Sequence, residues 1–464
     1  MTSRTEDRGP RVGKPGDDLR PSPLAPRRVA LVHDWLTGMR GGEKVLEAIA
    51  ELYPDATLHT LLHVRGSVAP ALERLPERRS FVQWLPAAGR HYRTYLPLFP
   101  TAVELFDFDG YDLVISTSHC AAKSVVVPGH TRHVSYCHSP MRYAWDQFDA
   151  YFGPDRVGAL RSQALRRVMA GMARWDRDTA GRVDRYVANS HYVAGRIRRY
   201  YNRGSTVVYP PVDTAFYRPE PARRPESFFL VVSALVPYKR LDVAIRACAE
   251  VRTPLTIVGR GPDEVRLRRL AEELEAEVAF AGWLDDEHVR DLYRRCRAVL
   301  MTGVEDFGMV PVETQACGRP VVALAEGGAV ESVVDGVTGL LVREDSAEAF
   351  AGALRDVSSR DFDTAAIRRH AETFGKARFQ QEFQDVVHAV LDSEGQRSNE
   401  DRRPTTAARY AQRRRNPAAR ENEQRSNEDH REVSDGPPTH PDGLTTAARY
   451  AQRRRNPAAR ENEQ

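Results

Sequence analysis

The sequence predicts two α/β domains in tandem, each a doubly wound parallel sheet. Short apolar runs recur at 28–36, 112–118, 228–235 and 298–303 without the polar alternation of a half-solvated strand, as expected for strands buried on both faces. Several of these runs end in a turn of Gly or small polar residues that opens an amphipathic helix. A proline-containing stretch, "TVVYPPVDTAFYRP" (206–219), interrupts the alternation once and marks the boundary between the domains.

Residues 1–27 are rich in Pro, Gly and charge without periodicity, and are expected to be disordered. "RVALVHDWL" (28–36) reads as a buried first strand. "TGMRGGEKVLEAIAEL" follows as a glycine turn opening a helix with Val45, Leu46, Ile49 and Ala50 on one face. "DLVISTS" (112–118), "HVSYCHSP" (133–140) and "RVDRYVANSHYVAGRI" (182–197) continue the alternation and complete a first domain over 28–205. The second domain, 206–370, runs from "FFLVVSAL" (228–235) through "PLTIVGRGP" (254–262), "VAFAGWL" (278–284) and "AVLMTG" (298–303) to a strand at 320–324. Phe379, Phe383, Val386, Val387 and Val390 then mark a last amphipathic helix within 371–392.

Beyond it, "TTAARYAQRRRNPAARENEQ" stands at 405–424 and again at 445–464. A repeat this poor in apolar residues cannot offset its ordering entropy, so 395–464 is expected to be a disordered, duplicated tail. The tail holds 15 Arg and 11 acidic residues, which leaves 53 of 68 basic and 53 of 64 acidic residues in the body. That balance excludes a global nucleic-acid-binding surface, and the basic tail is the one feature that would suggest nucleic acid. The five cysteines are scattered without a Cys-x-x-Cys pair, which argues against a disulfide framework and for a reducing cytosol. With no apolar run of spanning length and no signal-peptide core at the start, the chain reads as soluble or peripheral.

The most informative stretch is "EDFGMVPVE" (305–313), directly after the apolar run 297–301. A strand, a Gly-containing turn and a helix place backbone N–H groups at a strand's carboxyl end, where they can hold an anion or a sugar hydroxyl. The helix is expected to begin near Pro311, a residue suited to position N1. Glu305 in the turn and Glu313 in the helix can each accept two hydroxyl donors, which suits a polyhydroxylated ligand. A second such unit follows, with Gly327-Gly328 after the strand 320–324.

This block closely resembles the donor-binding signature of glycosyltransferase family 4, in which a Glu, seven residues and a second Glu enclose a Phe-Gly pair. Here these are Glu305, Phe307-Gly308 and Glu313. The resemblance spans 28–392. It implies a retaining enzyme of the GT-B fold, with two Rossmann-like domains facing across a cleft and a last helix crossing back to the first domain. In the N-terminal region and in "HSPMRYAWD" the sequence is most similar to bacterial mannosyltransferases of O-antigen and exopolysaccharide assembly.

By that resemblance Glu305, with the N–H groups of Gly308, Met309 and Val310, should hold the sugar ring, and Glu313 the ribose. Lys239, helped by Arg240, should neutralise the diphosphate from a loop past a strand end. The family's arginine in that loop is replaced by Ala234. Gly41 and Gly42 should let the first domain's backbone approach the diphosphate. His138 should face the sugar and phosphate, either as a neutral donor or as an imidazolium. Glu305, His138 and Lys239 are thus the catalytic candidates. Gly282 and Trp283 occupy the place where the family reads the base, and Arg142 and Asp146 are candidates for the acceptor pocket.

The implied reaction moves a hexose, read as mannose from GDP-mannose, to a glycan or polyprenyl-linked acceptor at the cytoplasmic face of the membrane. The implied chemistry needs no metal or other cofactor. Basic residues interleaved with Phe81, Trp84, Tyr92, Tyr95 and Phe99, and the basic stretch 156–175, suit a peripheral contact with anionic lipid. A UDP-sugar donor, a sugar-nucleotide epimerase and a non-catalytic nucleic-acid-binding or assembly protein are the rival readings.

Overall fold

Two wholly parallel sheets carry the structure, a computed structural model that describes residues 28–220 and 224–392. The disorder expected of 1–27 and 395–464 concerns residues outside those described. The first sheet contains β1 (Val29–His33), β2 (Thr57–Thr60), β3 (Glu77–Arg79), β4 (Leu113–Ser118), β5 (Arg132–Cys137), β6 (Arg185–Ala188) and β7 (Ser205–Val207). Their order is β3-β2-β1-β4-β5-β6-β7. The second contains β8 (Phe229–Val232), β9 (Leu255–Val258), β10 (Val278–Gly282), β11 (Ala298–Met301), β12 (Val321–Leu324) and β13 (Gly339–Val342), in the order β10-β9-β8-β11-β12-β13. Both sheets belong to one compact unit.

Every residue of β1, β4, β5, β11 and β12 is buried. Helices covering both faces of a sheet demand this, and it explains the unbroken apolar runs. In α1 (Gly41–Ala50) the face carrying Val45, Leu46, Ile49 and Ala50 is buried as its spacing predicts. α2 (His191–Tyr201) starts at Ser190, whose hydroxyl accepts the N–H of Val193. α3 (Leu241–Glu250), α4 (Asp286–Arg295) and α5 (Met309–Ala316) follow β8, β10 and β11.

Two sequence expectations shift by a few residues. Thr206 and Val207 belong to β7, so the first sheet takes in the start of the proline-containing segment. α5 begins at Met309, which makes Pro311 its third residue rather than its first. The first helical N–H groups have no intrahelical acceptor, so proline is tolerated there as well.

α6 (Lys376–Asp392) returns to the first sheet, where Phe379, Phe383, Val387 and Val390 join the core formed by β1, β4 and β5. Phe379 packs against Tyr136 of β5 with ring centroids 5.7 Å apart. Burying each of these side chains contributes about 1.5–3 kcal/mol, so the last helix is a substantial part of the first half's core.

Strand order reverses between β1 and β4 in the first sheet and between β8 and β11 in the second. Loops leaving adjacent strands at such a point diverge and open a crevice at the carboxyl edge. The two crevices face one another.

Candidate active site

The second sheet builds its wall from the ends of two neighbouring strands, β8 and β11. Past β11, a Cβ placed on Gly303 would lie 2.7 Å from Lys239 Cα and from the Tyr238 carbonyl oxygen. Only glycine lets the loop after β8 come this near, and that approach sets Lys239 beside the turn carrying Glu305. The two side chains form an ion pair, Lys239 Nζ to Glu305 Oε1. Gly308, at φ +83°, caps α5 without a side-chain hydrogen bond, so the first-turn N–H groups remain free for a ligand or water. The Phe307 ring, 2% exposed, packs against Tyr209 and Phe374 and anchors the turn. Glu313, 7% exposed, accepts the Tyr293 hydroxyl at 3.1 Å and Lys44 Nζ of α1 at 3.3 Å.

The first sheet builds its wall from buried side chains. Asp34, just past β1 and fully buried, accepts the N–H groups of His119, Cys120, Ala121 and Ala122 at 2.8, 2.9, 2.6 and 2.7 Å. It also lies 3.2 Å from His119 Nδ1. One carboxylate thus locks the β4 loop to the β1 loop across the switch point. Burial lowers the His119 pKa; Asp34 opposes that shift without cancelling it. His138, past β5, is pushed down to about 3 by burial and by the neighbouring His119 and His33. Its Nε2 has no hydrogen-bond partner and lies 3.5 Å from the Cβ position of Gly42. Of the two roles expected of His138, this environment permits the neutral one and disfavours the imidazolium.

Between the walls lies a cavity of about 460 Å³, lined by Gly41, Gly42, His138, Lys239, Glu305, Phe307, Gly308, Met309 and Val310. Glu313, Arg240, Asp146, Gly282 and Trp283 are not among its lining residues. Arg240 pairs with Asp345 and Asp242, and Trp283 is 69% exposed. Arg142 lines the cavity but is held by Asp306, which also meets Arg196 at 3.5 Å. Asp146 pairs with Arg196 at 2.9 Å. The two acceptor candidates therefore belong to an ion-pair network that joins the halves, with Asp306 supplied by the second and the arginines by the first. The Glu331 carboxylate strengthens the join by accepting the N–H groups of His191 and Tyr192 at 2.8 and 3.0 Å.

Sequence reasoning missed Asp34, Arg40, His119 and Asp306. Asp306 lies inside the signature, and His119 follows its strand as His138 follows its own, so both had a positional signal. Asp34 had none, since its four donors come from residues more than eighty positions away.

Residues 39–216 match the family model described as Glycosyltransferase Family 4, and residues 213–376 match Glycosyl transferases group 1. The two matches overlap at 213–216 and together contain Gly41, Gly42, His138, Lys239 and Glu305. The chain belongs to this family of glycosyltransferases, with two parallel α/β sheets of the GT-B kind.

Among curated relatives, the D-inositol 3-phosphate glycosyltransferase of Rhodococcus erythropolis is 35% identical over 223 residues, 41% of this chain and 50% of that protein. The chain thus spans about half the length of the curated relatives it matches. Among solved structures, HepE of Anabaena in complex with UDP is 21% identical and covers 78% of this chain and 100% of its own, with a TM-score of 0.58. Sucrose-phosphate synthase of Thermosynechococcus elongatus is 18% identical and covers 79% and 100%, with a TM-score of 0.60. These likenesses speak to the fold.

Proposed function

We propose that this chain is a retaining, metal-independent hexosyltransferase that moves a sugar from a nucleoside diphosphate sugar to a hydroxyl of a glycan or polyprenyl-linked acceptor. The observation that carries the reading is the single cavity shared by Gly41-Gly42, His138, Lys239, Glu305 and the first turn of α5.

In this reading the diphosphate lies against Lys239 and the N-terminus of α5, which neutralise the charge that grows on it as the sugar departs. Glu305 and the N–H groups of Gly308, Met309 and Val310 hold the sugar hydroxyls, neutral His138 contacts one more, and Glu313 takes the ribose. The acceptor hydroxyl approaches the face that the phosphate leaves. The bond from the anomeric carbon to the phosphate oxygen breaks with its electron pair on phosphate. The bond to the acceptor oxygen forms, and the acceptor's proton passes to the departing phosphate. Configuration is retained without a carboxylate nucleophile, and hydrolase chemistry with two flanking carboxylates is not required. Glu305, already paired with Lys239, is suited to orienting the donor rather than attacking it.

The sugar is read as mannose from GDP-mannose, on the similarity of the N-terminal region to polysaccharide mannosyltransferases. A second reading, a UDP-sugar, is favoured by the likeness to HepE, which has been solved with UDP-glucose. A peripheral contact with anionic lipid is supported by Trp84, 76% exposed beneath Arg79, and by Leu160, 87% exposed; Tyr92 and Phe99 of the same stretch are buried in the core. No helix among the described residues is long and apolar enough to cross a membrane. Calorimetry with GDP-mannose, UDP-glucose and an ADP-sugar tests the donor. Binding of GDP-mannose alone is expected; binding of a UDP-sugar in its place overturns the base assignment, and binding of none overturns the function. Donor turnover without any acceptor, giving an epimer, would move the chain to the epimerase class.

A further inference from the structure

We propose that Arg40 supplies, from the first half, the second positive charge on the donor diphosphate that Ala234 does not supply from the second. This rests on the reading of the cavity as a nucleotide-sugar site.

A nucleoside diphosphate ester carries two negative charges at neutral pH, and one ammonium leaves half of that uncompensated. Three cations line the cavity: Arg40, Arg142 and Lys239. Arg142 is held by Asp306, and Lys239 shares its charge with Glu305. Arg240, the sequence-based helper of Lys239, is held by Asp345 and Asp242. Arg40 is exposed, and among the described residues no carboxylate pairs with its guanidinium. Its backbone N–H donates to Glu43 Oε2 at 3.1 Å, which fixes the backbone at the start of α1 while leaving the side chain available.

Position adds to charge. Arg40 directly precedes Gly41, where a Cβ would lie 3.0 Å from Met309 Sδ at the opening of α5. The first residues of α1 and α5, one from each half, therefore lie within the reach of one methionine side chain. Each helix start carries about half a positive charge, and two like ends this close, beside an unpaired guanidinium, favour an anion between them. The unpartnered Nε2 of His138 lies beside Gly42 in the same corner and offers a polar contact to the same ligand. A guanidinium suits the task, because its planar fork can bind two phosphate oxygens at once.

The test is calorimetric titration of the full chain with GDP, UDP, GMP and UMP, on wild type, Arg40→Gln, Arg40→Lys and the double variant Arg40→Gln/Ala234→Arg. Arg40→Gln is expected to weaken the preferred diphosphate about tenfold and to leave the matching monophosphate unchanged. Arg40→Lys should recover part of the loss, and Ala234→Arg should recover part of it from the opposite wall. Unchanged diphosphate affinity in Arg40→Gln overturns the proposal, as does equal weakening of monophosphate and diphosphate. A wild-type chain that binds neither GDP nor UDP would instead remove the donor-site reading beneath it, so the two failures are distinguishable.

Discussion

The two walls of the cavity are built by different means. On the second half, Lys239, Glu305, Gly308 and Glu313 come from two strand–turn–helix units whose strands, β8 and β11, are neighbours in the sheet, and much of the wall is backbone: a glycine-capped helix start and a loop pressed against Gly303. On the first half, the wall is a set of polar side chains from three separate strand ends, two of which are tied together by the buried Asp34 carboxylate with its four N–H donors. A backbone wall keeps its shape when a side chain is removed, whereas a wall of buried hydrogen bonds does not. Substitutions in the second half should therefore cost turnover, and substitutions in the first should cost stability.

The largest separation is expected at Lys239 and Glu305. Either alanine variant should lower turnover about 10²–10³-fold, Lys239→Ala by removing the charge that stabilises the departing phosphate and Glu305→Ala by loosening the donor's orientation. Neither should much change the melting temperature, because the side chains are only partly buried and water can replace the lost partner. Donor-release assays alongside thermal melts measure both quantities. Wild-type turnover in either variant would remove these residues from the chemistry.

Asp34→Asn should invert the pattern. The amide offers one acceptor oxygen where the carboxylate offers two, so at least two buried N–H groups lose their partner, and a cost of about 3 kcal/mol is expected. Denaturant unfolding reads it. A variant as stable as wild type would show that the loops flanking the β1/β4 switch are held by something other than Asp34.

Much of the second wall was legible in the sequence because its determinants are local. Glycines at a strand end, a helix start and two glutamates in one nine-residue segment are visible without knowing what lies opposite. The first wall was only partly legible. Gly41, Gly42 and His138 announce themselves at strand ends, but Asp34 acquires its role from donors on the neighbouring strand's loop. Arg142 and Asp146 show the converse difficulty. Their position near the cleft was readable, yet their commitment to Asp306 and Arg196 depends on how the halves meet, which no local pattern encodes. The fold itself was read almost whole, since strands buried on both faces leave an unmistakable period.

Acidification should act on the same contrast. His59 and His133 are pushed down to about 4 and His138 to about 3, in each case chiefly by burial. All three are neutral in the folded chain but titrate near 6.5 once unfolded. Below that pH the unfolded chain takes up protons that the folded chain refuses. Stability therefore falls as pH falls, by up to about 1.4 kcal/mol per pH unit for each histidine, until the folded values are passed. All three lie in the first half. In the second half burial also lowers His370, while His288 is raised by its exposed partner Asp285 and works in the opposite sense. Hydrogen exchange at pH 5 should thus show protection lost first around β2 and β5, where these histidines sit. Simultaneous loss in both sheets would mean that the buried histidines do not set the acid limit.

The smallest effect is expected at Trp283, at the outer edge of the second wall. Trp283, which the resemblance puts beside the base, is 69% exposed and does not line the cavity. Gly282, at φ +68°, turns the chain there, and its carbonyl accepts the Gly259 N–H at 2.7 Å. If the base is read by backbone, Trp283→Ala should change stability by less than about 0.5 kcal/mol, as exposed substitutions usually do, and nucleotide affinity should be unaltered. A clear loss of affinity for GDP or UDP in that variant would mean that the indole closes over the bound base, and that the second wall too relies on a side chain at its outer edge.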